Sequence, residues 1–371
     1  MLMKDGLGPD AIRRISTALK QIMTNFSLAQ FDVERFERDA LTGLEPLELK
    51  QRLQHLITVL NQHLPEDFAE TAVLLKKLPE VWDRGDPDDP IRGFAIWPLT
   101  DYVAEHGLEE PQLALDVMAK LTPLFSAEFA IRPFIEQHPE LTFKQLEAWL
   151  QHPDEHIRRL VSEGTRPRLP WGMQLKGFIQ DPSPILPLLQ QLRFDDSLYV
   201  RRSVANNLND ISKDHPEVVI ALCKQWKADK HKDVDWIIGH ATRTLVKAGH
   251  PRVFSLLGYS DNPAVKVSEL NLETSQVSKG DTLPFSVTFS ASEPQQKFVA
   301  DYAVHYMKAN GKTAAKVFKL KNLTLNKGEA ATLEKQISFK EITTRKFYPG
   351  THKLAIHING IEQQSVEFEL E

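Results

Sequence analysis

At 371 residues, with 42% apolar and 26% charged side chains, the chain has ordinary globular composition and length for two or three domains, each with its own core. No apolar run approaches the roughly 18–20 residues that cross a bilayer, and the first residues lack the order of an export signal. The single cysteine, Cys223, excludes an internal disulfide and a thiolate zinc site, and fits a reducing cytoplasm. The net charge of −5 is uneven: residues 1–155 hold 15 basic and 27 acidic side chains, 156–252 hold 16 and 10, and 262–371 hold 14 and 12. An acidic body with a basic middle argues against wholesale nucleic-acid coating but permits a local basic stripe that tracks phosphates.

From residue 10 to about 260 the pattern predicts short amphipathic helices, with apolar positions three and four apart and Pro, Gly or Asp at the breaks. Leu53-Leu56-Ile57-Leu60 and Leu113-Val117-Leu121 are two such stripes. The helices repeat. His138-Pro139-Glu140 is followed by Trp149 and Ile157 at the spacings that place Trp226 and Val234 after His215-Pro216-Glu217, a separation of 77 residues. This is about two periods near 38, and a further charged helix start at Tyr199-Val200-Arg201-Arg202 falls between them, which predicts a HEAT-like solenoid.

Four segments of this region hold candidate chemistry. Glu128 opens Glu128-Phe129-Ala130-Ile131-Arg132-Pro133-Phe134, where Phe129, Ile131 and Phe134 read as core and a lone glutamate at a helix start is ordinarily a cap. His152-Pro153-Asp154 has the His-x-Asp form of an iron triad, but Pro153 spoils a helical ligand pair, and a loop between repeats is the better reading. In His156 to Gly172, Ile157, Leu160, Val161 and Gly164 form a buried stripe, with Glu163 at its border. Arg158, Arg159, Arg166 and Arg168 can fork onto phosphates, and the proline-bracketed Trp171 offers a rigid aromatic face; a solvated, salt-bridged helix end is the alternative. Val200, Val204, Leu208 and Ile211 form the next stripe, flanked by Ser203, Asn206 and Asp210. Glu163, Asn206 and His240 occupy equivalent repeat positions, so polar groups are expected along one groove.

After Asp261-Asn262-Pro263 the period falls to 2, in Val265-Val267-Leu270, Phe285-Val287-Phe289, Val299-Tyr302-Val304-Tyr306 and Leu354-Ile356-Ile358. Asn310-Gly311 and Asn359-Gly360 predict type I′ hairpins. About seven strands without intervening helices predict an immunoglobulin-like sandwich. The expected fold is therefore mainly α, a HEAT-like solenoid over 1–261 followed by an all-β sandwich over 262–371. No glycine-rich phosphate loop, CxxC, HExxH or GxSxG motif occurs, so no nucleotide cofactor and no metal are expected.

The segments Ser126 to Phe134, Arg158 to Trp171 and Val200 to Asp210 resemble the AlkC-type DNA-alkylation repair glycosylases, HEAT-like repeat enzymes of which some carry a C-terminal immunoglobulin-like domain. The resemblance spans nearly the whole chain. It implies excision of cationic N3-methylated bases, chiefly 3-methyladenine and 3-methylcytosine, from double-stranded DNA without flipping the base into a pocket. By position in these motifs, Glu128, Glu163 and Asp210 look like catalytic-site carboxylates, and Trp171 like the aromatic that packs on the lesion deoxyribose. The residue types suit such chemistry: a cationic base leaves readily, while the oxocarbenium-like sugar calls for negative charge and a positioned water, for which Asp210 or Glu163 is favoured. Arg158, Arg159, Arg166, Arg168, Arg201 and Arg202, with Asn206, are candidate DNA contacts, some of the arginines being salt-bridged instead. Lys308, Lys312, Arg345 and Lys346 are candidate minor-groove contacts at the tips of the sandwich. A cofactor-free, cytoplasmic monomer is expected, with no membrane partner. The rival readings are a non-enzymatic HEAT scaffold and a lesion-binding protein that leaves the glycosidic bond intact.

Overall fold

Capping side chains and first-turn prolines set the helix starts in the computed structural model, which describes residues 2–25, 31–342 and 345–371. Asp32, Asp67, Asp154 and Ser197 each accept a hydrogen bond from a backbone N–H of the helix they open, a contribution of about 1 kcal/mol apiece. The chain divides into two units, Met1–Asp214 and His215–Glu371. The first contains α1 (Pro9–Asn25), α2 (Val33–Leu41), α3 (Leu49–His63), α4 (Phe68–Val81), α5 (Trp97–His106), α6 (Pro111–Leu121), α7 (Arg132–Gln137), α8 (Pro139–Trp149), α9 (Glu155–Gly164), α10 (Lys176–Gln180), α11 (Leu186–Leu192) and α12 (Leu198–Ile211). Short 3-10 helices lie at Met3–Leu7 and Arg92–Ile96.

Helices pack on sequence neighbours and on helices further along, α4 on α6, α6 on α8 and α9 on α12, as stacked helical repeats do. The Leu53-Leu56-Ile57-Leu60 stripe is wholly buried. In α6 the buried stripe is Ala114, Val117, Met118 and Leu121, and Leu113 lies half-buried at its edge. The repeat is visible in the backbone itself, since His138 and His215 precede their helices with φ,ψ of −129°,55° and −130°,64°. No helix among the described residues is long and apolar enough to cross a membrane.

The second unit opens with α13 (Pro216–Ala228), α14 (Val234–Ala241), α15 (Arg243–Lys247) and α16 (Pro251–Leu256). Its strands are β1 (Val265–Leu272), β2 (Gln276–Val277), β3 (Thr282–Ala291), β4 (Gln296–Met307), β5 (Thr313–Leu325), β6 (Ala330–Ser338), β7 (Gly350–Ile358) and β8 (Ile361–Leu370). They form sheets of order β1-β3-β6 and β2-β8-β7-β4-β5, enclosing Phe285, Phe289, Phe298, Leu354, Ile356 and Phe368. The two-residue β2 accounts for the strand beyond the seven expected. Where the apolar alternation of β1 changes parity, from Val267 to Leu270, the ladder carries a bulge at Val267/Glu269; in β4, by contrast, Val299 lies on the opposite face from Tyr302, packed with Ile220 and Phe254 rather than in the sandwich core. The extra residue, Ser268, restores the inward face of β1.

The two Asn-Gly pairs behave differently. Asn359 and Gly360 have φ of 47° and 75°, as a two-residue type I′ turn between β7 and β8 requires. Between β4 and β5, by contrast, residues 308–312 form a longer loop in which only Gly311 has positive φ, and Asn310 Oδ1 accepts from Lys312 N at 3.1 Å. A Cβ on Gly360 would lie 2.0 Å from Gly249 Cα. Gly360→Ala is therefore expected to destabilise the protein by about 2–4 kcal/mol, from the left-handed backbone and the overpacked contact. A urea-unfolding midpoint equal to that of the parent protein would contradict this close approach.

Candidate functional site

Helix α9 begins at the Asp154 cap and ends where Gly164 meets Ile131; a Cβ on Gly164 would sit 2.6 Å from Ile131 Cγ2. This close approach brings the Ser126–Ile131 turn alongside the helix end. Glu163, 4% exposed, is the residue before that glycine. The chain then turns through Thr165, whose hydroxyl donates to the Val161 carbonyl at 2.8 Å, and closes with Leu175 N on the Pro167 carbonyl at 3.1 Å. Trp171, at the tip, has φ of 66° and is 55% exposed. An exposed tryptophan in left-handed backbone costs stability on both counts, which marks it as a candidate functional residue.

Packing of α12 on α9 supplies the other half. Ser203 Oγ donates to Glu163 Oε2 at 2.6 Å, and Asn207 Nδ2 donates to the Ser162 carbonyl at 2.8 Å and to Thr165 Oγ1 at 3.2 Å. A continuous chain of alternating charge results. Arg159 Nη1 lies 2.7 Å from Glu128 Oε2 and Arg159 Nη2 3.5 Å from Glu163 Oε1. Arg166 Nη1 lies 2.7 Å from Glu163 Oε1, and its Nε 2.8 Å from Asp210 Oδ2. Lys213 Nζ ends the chain, 2.9 Å from Asp210 Oδ1.

The electrostatics follow from this order. Burial acts to raise the Glu163 pKa, but Arg159, Arg166 and the Ser203 hydroxyl together hold the carboxyl below its usual range. Burial likewise opposes the Arg166 charge, and Glu163 and Asp210 outweigh it. Asp210 itself is 1% exposed.

Glu128, Glu163 and Trp171 line one cleft of about 270 Å³, together with Arg166 and an aromatic wall of Phe94, Trp97, Phe125 and Phe129. Asp210 joins them through Arg166. Trp97 stacks on Phe125 and Phe129 with centroids 5.7 and 5.1 Å away, and Lys50 Nζ lies 4.5 Å from the Trp97 ring centroid. Behind the wall Trp97 Nε1 donates to Asp101 Oδ2 at 3.0 Å, and burial pushes Asp101 up to about 7. The wall escaped the sequence reading because its residues come from separate turns with no shared period.

Arg158 forks onto Asp195 at 2.6 and 2.9 Å, and Arg168 onto Asp214 at 2.8 Å through both nitrogens. Arg201 donates to the Asp195 and Asp196 carbonyls, while Arg202 is exposed. Asn206 is half-buried on α12, between Ser203 and Asn207, which make buried bonds to α9. His240 lies in the second unit, stacked on Trp236 with centroids 5.3 Å apart. His152 Nδ1 accepts from Asp154 N, and Asp154 caps α9, so this tripeptide turns the chain between helices. In the sandwich, Arg345 Cζ lies 4.3 Å over the Tyr306 ring and Lys346 Nζ 5.6 Å over Tyr348.

Helical repeats followed by an immunoglobulin-like sandwich, with a carboxylate–arginine chain in the repeats, define the class: a HEAT-like repeat protein with a C-terminal immunoglobulin-like domain. Residues 266–371 match the family model described as the YhaZ C-terminal Ig-like domain. Over 345 residues the chain is 38% identical to the uncharacterized protein YhaZ of Bacillus subtilis (strain 168), covering 93% of this chain and 94% of that one. The solved structure of the Pseudomonas fluorescens alkylpurine DNA glycosylase AlkC, bound to DNA containing an abasic site analog, matches with a TM-score of 0.91 and 36% identity over 100% of both chains. The chain belongs to this AlkC–YhaZ family.

Proposed function

We propose that this protein is a monofunctional DNA glycosylase that hydrolyses the N-glycosidic bond of cationic N3-methylated bases, 3-methyladenine and 3-methylcytosine, in duplex DNA without flipping the base. The observation that carries the reading is the chain Glu128–Arg159–Glu163–Arg166–Asp210 beside the exposed Trp171. A scaffold has no use for two carboxylates lining a surface cleft with a third buried behind Arg166, where they repel DNA and must be neutralised by arginines. Family membership and the likeness to AlkC support the same assignment.

In the reaction the C1′–N bond breaks and both its electrons go to the cationic base, which departs neutral. Positive charge then develops on the deoxyribose, and Glu128, Glu163 and Asp210 supply the opposing field from fixed positions. Water adds through oxygen to C1′, and its proton passes to Asp210 or Glu163 and on to solvent. Trp171 packs on the sugar and gains a cation–π contact as the charge grows. Arg159 and Arg166 hold the carboxylates, while Arg158, Arg168, Arg201, Arg202 and Asn206 face the phosphates, the paired ones exchanging partners on binding. Residues 1–261 form the catalytic region, and the 262–371 sandwich presents Lys308, Lys312, Arg345 and Lys346 to the minor groove. The enzyme acts as a cofactor-free cytoplasmic monomer.

The deciding experiment incubates the purified protein with methylated duplex DNA, without added metal or cofactor, and measures free 3-methyladenine and 3-methylcytosine. Release supports the glycosylase; salt-sensitive duplex binding without release supports a lesion-binding protein instead. Trp171→Ala is expected to slow single-turnover release by about 5–30-fold, the worth of one partly desolvated cation–π contact. An unchanged rate would remove Trp171 from the site.

A further inference from the structure

Arg132 lies wholly buried at the start of α7, where desolvating a guanidinium costs several kcal/mol. Its pKa is pulled down to about 10, first by burial and then by the like charge of Arg166, with Glu128 and Asp210 acting the other way. It therefore stays charged at neutral pH without an ion pair among the described residues. Its bonds go instead to two backbone carbonyls. Nη1 donates to the Gly164 carbonyl at 2.8 Å and Nε to the Met173 carbonyl at 2.7 Å, while Nη2 is buried with no partner among the described residues.

The two carbonyls belong to the two functional backbones of the cleft. Gly164 follows Glu163 at the C-terminal end of α9, where free carbonyls attract a cation. Met173 lies two residues after Trp171 in the exposed loop. The Trp171 ring is 55% exposed, so its position depends largely on the backbone beneath it, and Arg132 ties that backbone to the helix carrying Glu163.

We propose that Arg132 is the positioning residue that keeps Trp171 in register with Glu163, acting through these two hydrogen bonds and not through its charge. The inference rests on the reading that Trp171 acts in excision. Lysine retains the charge but cannot span both carbonyls; methionine retains neither charge nor donor.

The test is a double-mutant cycle. Single-turnover release of 3-methyladenine is measured for Arg132→Lys and Arg132→Met, each with Trp171 and with Trp171→Ala, alongside duplex affinity and melting temperature. Both Arg132 variants are expected to slow release nearly as much as Trp171→Ala, about 5–30-fold, with duplex affinity little changed. In the Trp171→Ala background they are expected to add less than about twofold. Where Arg132→Met melts below the assay temperature, Arg132→Lys carries the cycle. A merely structural role predicts the same loss in both backgrounds, and an electrostatic role predicts a wild-type rate for Arg132→Lys; either result overturns the proposal. A normal rate for Trp171→Ala overturns the parent reading as well, whereas a slow Trp171→Ala with additive Arg132 variants overturns only this inference.

Discussion

Replacing Asp210 with asparagine is expected to lower single-turnover release of 3-methyladenine by about 10²–10³-fold, the usual loss when one preorganised electrostatic group is removed. The side chains are nearly isosteric, so the packing of α12 on α9 is retained. What changes is the charge, and with it the ability to take a proton from water. Both Asp210 partners are donors, Arg166 Nε at 2.8 Å and Lys213 Nζ at 2.9 Å, so the amide nitrogen of asparagine faces one donor without an acceptor. Duplex affinity is expected to hold or rise slightly, because the variant removes a buried negative charge from beneath the proposed phosphate-binding surface. Undiminished release, with binding intact, would assign the water to another group.

Glu163→Gln is expected to produce a loss of the same size, about 10²–10³-fold in release, together with a marked loss of stability. Glu163 is the middle of the charge chain. Arg159, Arg166 and Ser203 all converge on its two oxygens, and removing one member of a buried ion cluster costs about 3–5 kcal/mol by leaving the partners uncompensated. The two variants are thus separable: Asp210 shares part of its pairing with a half-exposed lysine, whereas Glu163 has buried partners throughout.

Acid provides a second check on Glu163. Its carboxyl is held below the usual range in the folded protein, so its contribution to stability is complete above the unfolded carboxylate pKa of about 4.3. That contribution fades as pH falls through the lower folded value. Melting temperatures recorded from neutral to acidic pH should fall less steeply at the acid end for Glu163→Gln than for the parent protein. Parallel curves would mean that Glu163 is not held ionised by its arginines.

The local code of the sequence determined the elements. Helix stripes, caps, the 77-residue repeat and the change to period 2 after residue 261 depend on residues a few positions apart, and such spacing is carried in the chain itself. Even the β1 bulge was visible as a parity change at Val267. The motifs carried by Glu128, Glu163, Asp210 and Trp171 were likewise legible as stretches of sequence.

Pairing was not legible. Arg159 and Arg166 read as phosphate ligands as readily as ion-pair partners, because a run of arginines does not say which carboxylate lies across the groove. That depends on the register of α12 against α9 and on the turn at Ser126–Ile131, which bring together groups 31 and 44 residues apart. The aromatic wall, the part of Ser203 and Asn207 in holding α9, and the tie from Arg132 to Gly164 and Met173 arise in the same way. The Asn310-Gly311 loop departs from its local signal for a related reason: the ends of β4 and β5 leave five residues to connect, and strand pairing outweighs a dipeptide preference. Tertiary packing alone decided which charges face one another, since Coulomb and hydrogen-bond energies depend on distances in space that spacing along the chain does not encode.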